Sequence, residues 1–408
     1  MPFASFDLPP ELVKALKAMG FTSFMPIQTR ALPPGLEGKD VMGSAQTGSG
    51  KTVAFMLPIL RSILKGKRGG NLPNAVVLVP TRELAAQVET AARDLCRFTD
   101  IRCALVIGGE SFKVQSDALR RGSEIVVATP GRLLDHRGRG TIRFDGVRTC
   151  VLDEADRMLD MGFMPDIRRI LQCLPRERQT LMFSATLPPE VDRVAQEFMR
   201  SPVRIEVDPP ASPAAGITQM LYPVMAEQKL DLLLTILRNT RMTSAVIFTR
   251  TKHRADRVAR FLENNAIRSA VLHSNRTQAQ RTRALDDFRE KKQQILVATD
   301  IAARGLDVRH ISHVVNLDVP QHPEDYVHRI GRTGRVFAAG DAITLMDREE
   351  ERFITAIERF IGATIPRCAF PDFPYRIPPA LKPYKAPMAQ HFRMRRRIAR
   401  SSRHRVFR

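Results

Sequence analysis

Eight short apolar runs, four on each side of a Pro- and Ala-rich break, constrain this 408-residue chain more than any other feature. AVVLVP at 75 to 80, EIVVATP at 124 to 130, TCVLDE at 149 to 154 and TLMFSAT at 180 to 186 are continuous rather than alternating, which fits strands buried on both faces. Longer amphipathic segments separate them, as crossover helices between parallel strands do. After DPPASPAAG at 208 to 216 the alternation restarts with SAVIFTR at 244 to 250, QQILVATD at 293 to 300, HVVNLDVP at 313 to 320 and DAITLMD at 341 to 347. The pattern predicts two α/β domains with mainly parallel sheets, joined by a semi-stiff connector.

The charge says what such a chain meets. A formal net charge of +21 and a pI near 10.6 exceed what solubility requires and point to a polyanionic partner, nucleic acid before membrane. Trp is absent and aromatic residues are only 6%, so phosphate and sugar contacts are favoured over base stacking on exposed rings. No apolar run is long enough to span a bilayer, and MPFASFDLPPELVKAL has no secretory pattern, so a cytoplasmic location is expected. The five cysteines form no CxxC pair and are odd in number, which predicts reduced, structural thiols.

Two segments carry chemistry. GSAQTGSGKT at 43 to 52 lies between the short apolar run DVM and a helix-like run. Its Gly48 and Gly50 let backbone amides curl round an anion, Lys51 brings a point charge to the outer phosphates, and the Thr52 hydroxyl suits magnesium. Ala45 stands where the generic phosphate loop has its first glycine. VLDEADRMLD at 151 to 160 places Asp153, Glu154 and Asp156 at the end of an apolar strand. Crowded carboxylates become tolerable beside a divalent cation, so the pair reads as a magnesium-holding Asp153 and a water-handling Glu154.

Around these segments PIQ at 26 to 28, PTRELAAQ at 80 to 87, GG at 108 to 109, TPGR at 129 to 132, SAT at 184 to 186, ATDIAARGLD at 298 to 307 and HRIGRTGR at 328 to 335 stand in order. With D-E-A-D at 153 to 156 they make the chain resemble a DEAD-box ATP-dependent RNA helicase, most like the bacterial RhlE-type branch. The resemblance implies two tandem RecA-like domains: residues 1–208 with an aromatic-plus-Gln element at 3–28, a linker at 209–216, a second domain at 217–370, and a flexible basic tail at 371–408. It implies RNA-stimulated ATP hydrolysis, with Mg2+, coupled to domain closure and local unwinding that ignores base sequence.

It also assigns roles. Gln28 would bond adenine, with Phe3 or Phe6 stacking on the base; Gln46, Thr47, Gly48, Ser49, Gly50, Lys51 and Thr52 would cradle the phosphates; Asp307 would face the ribose. Arg332 and Arg335 would act as arginine fingers, His328 and Arg329 would bridge phosphate and the SAT segment, and Ser184, Thr186 and Asp156 would couple ATP state to RNA grip. Arg82, Gly109, Thr129, Arg132 and Thr299 would contact the RNA backbone, with 2′-hydroxyls separating RNA from DNA. HSN at 273 to 275 departs from the family's His-Gly pattern, so Ser274 is expected to alter a turn there.

Eleven Lys or Arg and no acid follow Asp372, which suits a nonspecific RNA anchor. Precursor ribosomal RNA, structured messenger RNA and proteins of the degradation machinery are the partners in view. An RNA chaperone with a decayed ATP site conflicts with intact Lys51, Asp153, Glu154, Arg332 and Arg335. A DNA translocase and a metabolic phosphate-loop kinase are the other classes, the first testable with DNA and the second at odds with a second sheet domain.

Overall fold

The computed structural model describes residues 6–45, 49–66, 70–207, 217–303, 311–333 and 340–377, with the backbone alone at residue 301. They fall into two compact units divided between Pro210 and Ala211, within a stretch outside the described residues.

The first unit holds β1 (Val41–Ser44), β2 (Ala75–Leu78), β3 (Cys103–Val106), β4 (Ile125–Ala128), β5 (Thr149–Asp153), β6 (Gln179–Ser184) and β7 (Val203–Glu206). They form one sheet in the order β3-β4-β2-β5-β6-β1-β7, and every pairing is parallel. Register explains why its strands are apolar throughout. Val127, Val77, Val151, Leu181 and Val41 line up across five strands and enter one core, together with Leu12, Ile27 and Phe55 from the covering helices. One residue further along each strand, Ala128, Leu78, Leu152, Met182 and Met42 enter the core on the opposite face. Each such branched or linear side chain contributes about 1.5–3 kcal/mol when fully buried, so neither face tolerates a polar row.

The second unit repeats the device. Its strands are β8 (Ile217–Pro223), β9 (Ala245–Thr249), β10 (Ala270–Leu272), β11 (Ile295–Thr299), β12 (His313–Asn316) and β13 (Gly340–Met346), all parallel in the order β10-β11-β9-β12-β13-β8. Val297, Ile247, Val315, Ile343 and Met220 form its cross-sheet row.

The apolar runs found in the sequence correspond to β2, β4, β5, β6, β9, β11, β12 and β13. Strands β3, β7 and β10 stand at or near sheet edges, where burial is partial and the apolar signal is diluted.

One expectation needs correction. The chain does not leave the second unit at residue 371. Phe370 and Phe373 are buried in its core, Gln228 donates to the Pro374 carbonyl at 3.0 Å, and the Arg376 amide donates back to the Gln228 carboxamide at 2.9 Å. Aromatic side chains at 370, 373 and 375 keep this segment docked before the basic composition takes over, whereas residues 378–408 of the proposed tail lie outside the described residues.

Candidate functional site

Apart from Gln28, in the helix Pro26–Leu36, and Phe6 before the first helix, the described candidate positions of the first unit sit at or just beyond the carboxyl ends of its strands, where open parallel sheets bind ligands. Strand order sorts them into two neighbourhoods. The phosphate loop, the D-E-A-D segment and SAT follow β1, β5 and β6, which are adjacent, while PTREL, GG and TPGR follow β2, β3 and β4, which are adjacent on the other side.

In the first neighbourhood the helix Lys51–Lys65 begins directly after Gly50, whose φ of 85° lies in the left-handed region. A Cβ there would also come within 2.3 Å of the Gln28 amide nitrogen, so glycine is required twice over. Gln28 is fully buried; its amide donates to the Gly50 carbonyl at 3.0 Å and its oxygen accepts from the Met25 amide at 2.9 Å, which ties the aromatic-plus-Gln element to the loop. Lys51, also buried, donates to the Ala45 carbonyl at 2.8 Å and so closes the loop across its mouth. Ser49 keeps a buried hydroxyl without a hydrogen-bond partner among the described residues, and Thr52 is half-buried in the first turn. Phe3, Gln46, Thr47 and Gly48 lie outside the described residues. Phe6 packs edge-to-face on Phe24 with centroids 5.1 Å apart, so its ring is already engaged in the core.

Asp153 ends β5, buried, with one oxygen accepting from the Glu154 amide at 3.0 Å. Burial pushes its pKa up to about 7, opposed by the Lys51 charge and reinforced by Glu154. Among the described residues Asp153 makes no ion pair, so its buried charge suits a cation. Glu154 adopts φ 57° and ψ 51°, a strained backbone for a residue with a side chain, and its carboxylate accepts from buried Arg157 at 2.6 Å. Asp156 turns away: one oxygen accepts from the amides of Ala185 and Thr186 at 3.2 and 2.8 Å and from the Thr186 hydroxyl at 2.9 Å. Its own amide donates to the Ser184 hydroxyl at 3.1 Å, so the D-E-A-D and SAT segments are clasped together.

In the second neighbourhood Arg82 opens a helix capped by Thr81, and its guanidinium lies over the glycine pair. At Gly109, φ 80°, a Cβ would come within 2.2 Å of that guanidinium, so the close approach this glycine permits is that of Arg82 itself. Thr129 is the buried residue preceding the helix Pro130–Gly138. Arg132 is held on three sides: it donates to the Glu110 carbonyl at 2.7 Å and to the Gln115 carboxamide at 3.3 Å, and its cationic carbon lies 5.1 Å from the Phe112 ring centre. Gln115 donates in turn to the Ile107 carbonyl at 2.8 Å and faces fully buried His136 at 3.2 Å, while His136 stacks on Phe112. Gln115, His136 and Arg157 escaped sequence reasoning. Each is a polar residue inside an amphipathic helix, and only its burial marks it out.

In the second unit Thr299 ends β11, half-buried. Arg329, expected to bridge phosphate and the SAT segment, is held by partners inside the second unit. It is 2% exposed and donates twice to Asp300 at 2.5 and 2.7 Å, to Asn316 at 3.1 Å and to the Asp318 carbonyl at 2.7 Å. Those four bonds occupy all three guanidinium nitrogens. Arg332 is buried with Nε donating to the His328 carbonyl at 3.3 Å, and His328 is half-buried on the preceding turn. Asp307 and Arg335 lie outside the described residues. Ser274 is absent from the left-handed positions among the described residues, so its turn does not require glycine. Buried His273 shapes that turn by accepting from the Asn275 amide at 3.3 Å and facing Asp256 at 3.0 Å.

Comparison with known proteins agrees with this geometry. A DEAD/DEAH box helicase family model matches residues 25–194 and a helicase conserved C-terminal domain model matches residues 228–337. The ATP-dependent RNA helicase CshA of Listeria monocytogenes is 44% identical over 356 residues, 87% of this chain and 68% of that protein. The chain belongs to the DEAD-box ATP-dependent RNA helicases. Another relative, the ATP-dependent RNA helicase DeaD of Escherichia coli, is 42% identical over 91% of this chain and 58% of its own length. Among solved structures, S. cerevisiae Dbp5 bound to RNA and ADP BeF3 matches with a TM-score of 0.83 at 31% identity, covering 91% of this DEAD-box chain and 96% of that one. Among the described residues no helix is long and apolar enough to cross a membrane.

Proposed function

We propose that this DEAD-box protein is an RNA-dependent ATPase that separates short RNA duplexes without reading their sequence. The observation that supports the reading is the strand order of the first unit, which brings the phosphate loop, D-E-A-D and SAT segments beside the PTREL, GG and TPGR segments along the carboxyl ends of one sheet, with Asp156 clasping SAT.

Lys51 and the amides that open its helix hold the outer phosphates, and Ser49 brings its unpartnered hydroxyl to the same loop. Thr52 and Asp153 would hold Mg2+, largely through water. The fit rests on the chemistry of the donors: Asp153 is a buried carboxylate without an ion pair among the described residues, and Thr52 supplies a hydroxyl in the first turn of the helix after the loop. When bound, the ion supplies positive charge to the phosphate oxygens. Glu154, fixed by Arg157, orients and deprotonates the attacking water. Arg332 and Arg335 add charge as the phosphoryl group transfers, Asp307 faces the ribose, and Phe3 stacks on adenine beside Gln28, Phe6 being committed to the core. Arg82, Gly109, Thr129, Arg132 and Thr299 follow the sugar-phosphate backbone. Closure on ATP and RNA together then makes hydrolysis depend on RNA.

Within the family we place the chain with the RhlE-type branch on VIFTRTKHRAD at 246 to 256 and PEDYVHRIGRTGR at 323 to 335, in the cytoplasm, acting on precursor ribosomal or structured messenger RNA. Crosslinking in cells identifies the RNA, and recovery of DNA alone rejects this placement. The decisive test of activity is steady-state ATP hydrolysis with single-stranded RNA, with DNA of the same sequence, and without either. Stimulation by RNA alone is expected, with Glu154→Gln lowering kcat by about 10²- to 10⁴-fold. Equal stimulation by DNA favours a translocase, and hydrolysis with neither leaves a clamp or chaperone.

A further inference from the structure

The second unit carries a basic groove away from the motif-bearing strand ends. One cavity of about 520 Å³ opens at the amino ends of β9, β10 and β11, lined by Arg238, Arg268, Lys291 and Lys292 among others. A second, of about 650 Å³, runs along the outer edge of β10 between that strand and the helix Lys252–Asn264, with Arg260, Arg268 and Arg276 in its walls. Arg268 and Gln293 line both, so the two cavities are one continuous groove round the sheet edge.

Charge in this groove is not balanced. Six cations face it against two lining carboxylates, Asp256 and Glu263. Asp256 is already engaged, by Arg276 at 2.7 Å and by His273. Lys292 pairs with Glu290, whereas Arg268 and Lys291 make no ion pair among the described residues. Neither cavity is lined by an aromatic ring, so a base has nothing to stack on.

The groove also has a direction. Its upper end, Arg276, shares Asp256 with His273, and His273 shapes the HSN turn at the carboxyl end of β10. A backbone leaving that turn would meet Arg276 and Arg260 next, then Arg268, then the lysines.

We infer that this groove binds the phosphodiester backbone of RNA flanking the segment held at the carboxyl edge, by charge and without base recognition. The inference rests on the RNA-dependent ATPase reading above. It makes the groove a handle on the strand or duplex arm beyond the core site, raising affinity for long RNA while leaving hydrolysis on short RNA untouched.

The test compares the full chain with its Arg260→Gln/Arg268→Gln/Lys292→Gln variant, all three side chains being exposed. With single-stranded RNA of about ten nucleotides, near the size one binding fold covers, kcat and KM should match wild type, which also shows the variant is folded. With RNA of about thirty nucleotides ending in a duplex arm, KM for RNA should rise about tenfold, and the slope of log affinity on log salt should become shallower by about two. An unchanged KM and slope on the long RNA overturn the groove. An equal loss on both lengths also overturns it, placing these residues in the core path. Weakened binding of an acidic protein with long RNA unaffected would assign the groove to that partner class instead. Wild-type hydrolysis that ignores both RNAs would overturn the underlying ATPase reading, a result separable from failure of the groove alone.

Discussion

Two buried arginine–carboxylate pairs each place the carboxylate directly after the carboxyl end of a strand, β5 in the first unit and β11 in the second, yet they are finished to different degrees. Arg329 in the second unit gives every guanidinium nitrogen a partner and lies over the Phe248 ring at 5.1 Å. Arg157 in the first unit is equally buried, but only its bond to Glu154 is charge-matched, and one of its nitrogens has no partner among the described residues. Its carboxylate sits on a left-handed backbone, whereas Asp300 opens an ordinary helix. A saturated pair gives rigidity; an unsaturated pair on a strained backbone holds a carboxylate in place while leaving it able to act.

The largest effect should follow from breaking the saturated pair. Arg329→Ala strands Asp300, Asn316 and the Asp318 carbonyl, and removal of one partner of a buried pair costs about 3–5 kcal/mol. Chemical denaturation should then show the second unit unfolding first, in a separate transition. A single unshifted transition would mean that the four bonds are replaced by water at little cost.

A middling effect is expected at the unsaturated pair. Arg157→Gln keeps a donor near Glu154 but removes the charge, so kcat should fall about tenfold to a hundredfold, as a carboxylate displaced by about 1 Å implies, with KM for ATP and RNA within about twofold. Arg157→Lys should recover part of the loss. Unchanged kcat in both variants would leave the strained backbone of Glu154 as its only guide and erase the contrast between the pairs.

The contrast was only half visible in the sequence. Strands such as Ala75–Leu78 and Ile295–Thr299 were legible because burial on both faces makes every residue apolar, and a run of that kind has few other readings. Lys51, Asp153 and Glu154 were legible because phosphate chemistry needs those residue types at that spacing. Arg329 shows what the sequence hides: a basic residue three positions before Arg332 looks the same whether it faces ligand or core, and its internal partners Asn316, the Asp318 carbonyl and Asp300 appear only in the structure. The docking of Phe370, Phe373 and Tyr375 was hidden because the prolines and charges around them dominate the local composition.

The β3-β4-β2 side of the first unit offers a third strut, and with it the smallest effect and the finest test of the comparison. His136 is fully buried against Phe112 and joins Gln115 to Thr141, at 3.2 and 2.8 Å. Since the Gln115 oxygen is an acceptor, with its amide committed to Ile107, the proton of neutral His136 lies on Nε2, and Nδ1 faces the Thr141 hydroxyl, which donates to the His136 carbonyl at 2.9 Å. Burial, aided by the Arg132 charge, lowers the His136 pKa to about 4 from its ordinary 6.5. The sign follows directly. Between those values the unfolded chain binds the proton and the folded one does not, so this histidine costs stability as pH falls through 6.5, by about 1 kcal/mol at pH 5.5. The His136→Gln variant, which cannot titrate, should lose less stability than wild type between pH 7.5 and 5.5, as measured by urea midpoints. Because the folded protein keeps His136 neutral over that interval, the KM for RNA should show no His136-dependent change with pH, in wild type as in the variant. Equal stability slopes for the two proteins would mean that folded His136 takes up its proton as the unfolded chain does, so that burial in the strut does not hold it neutral.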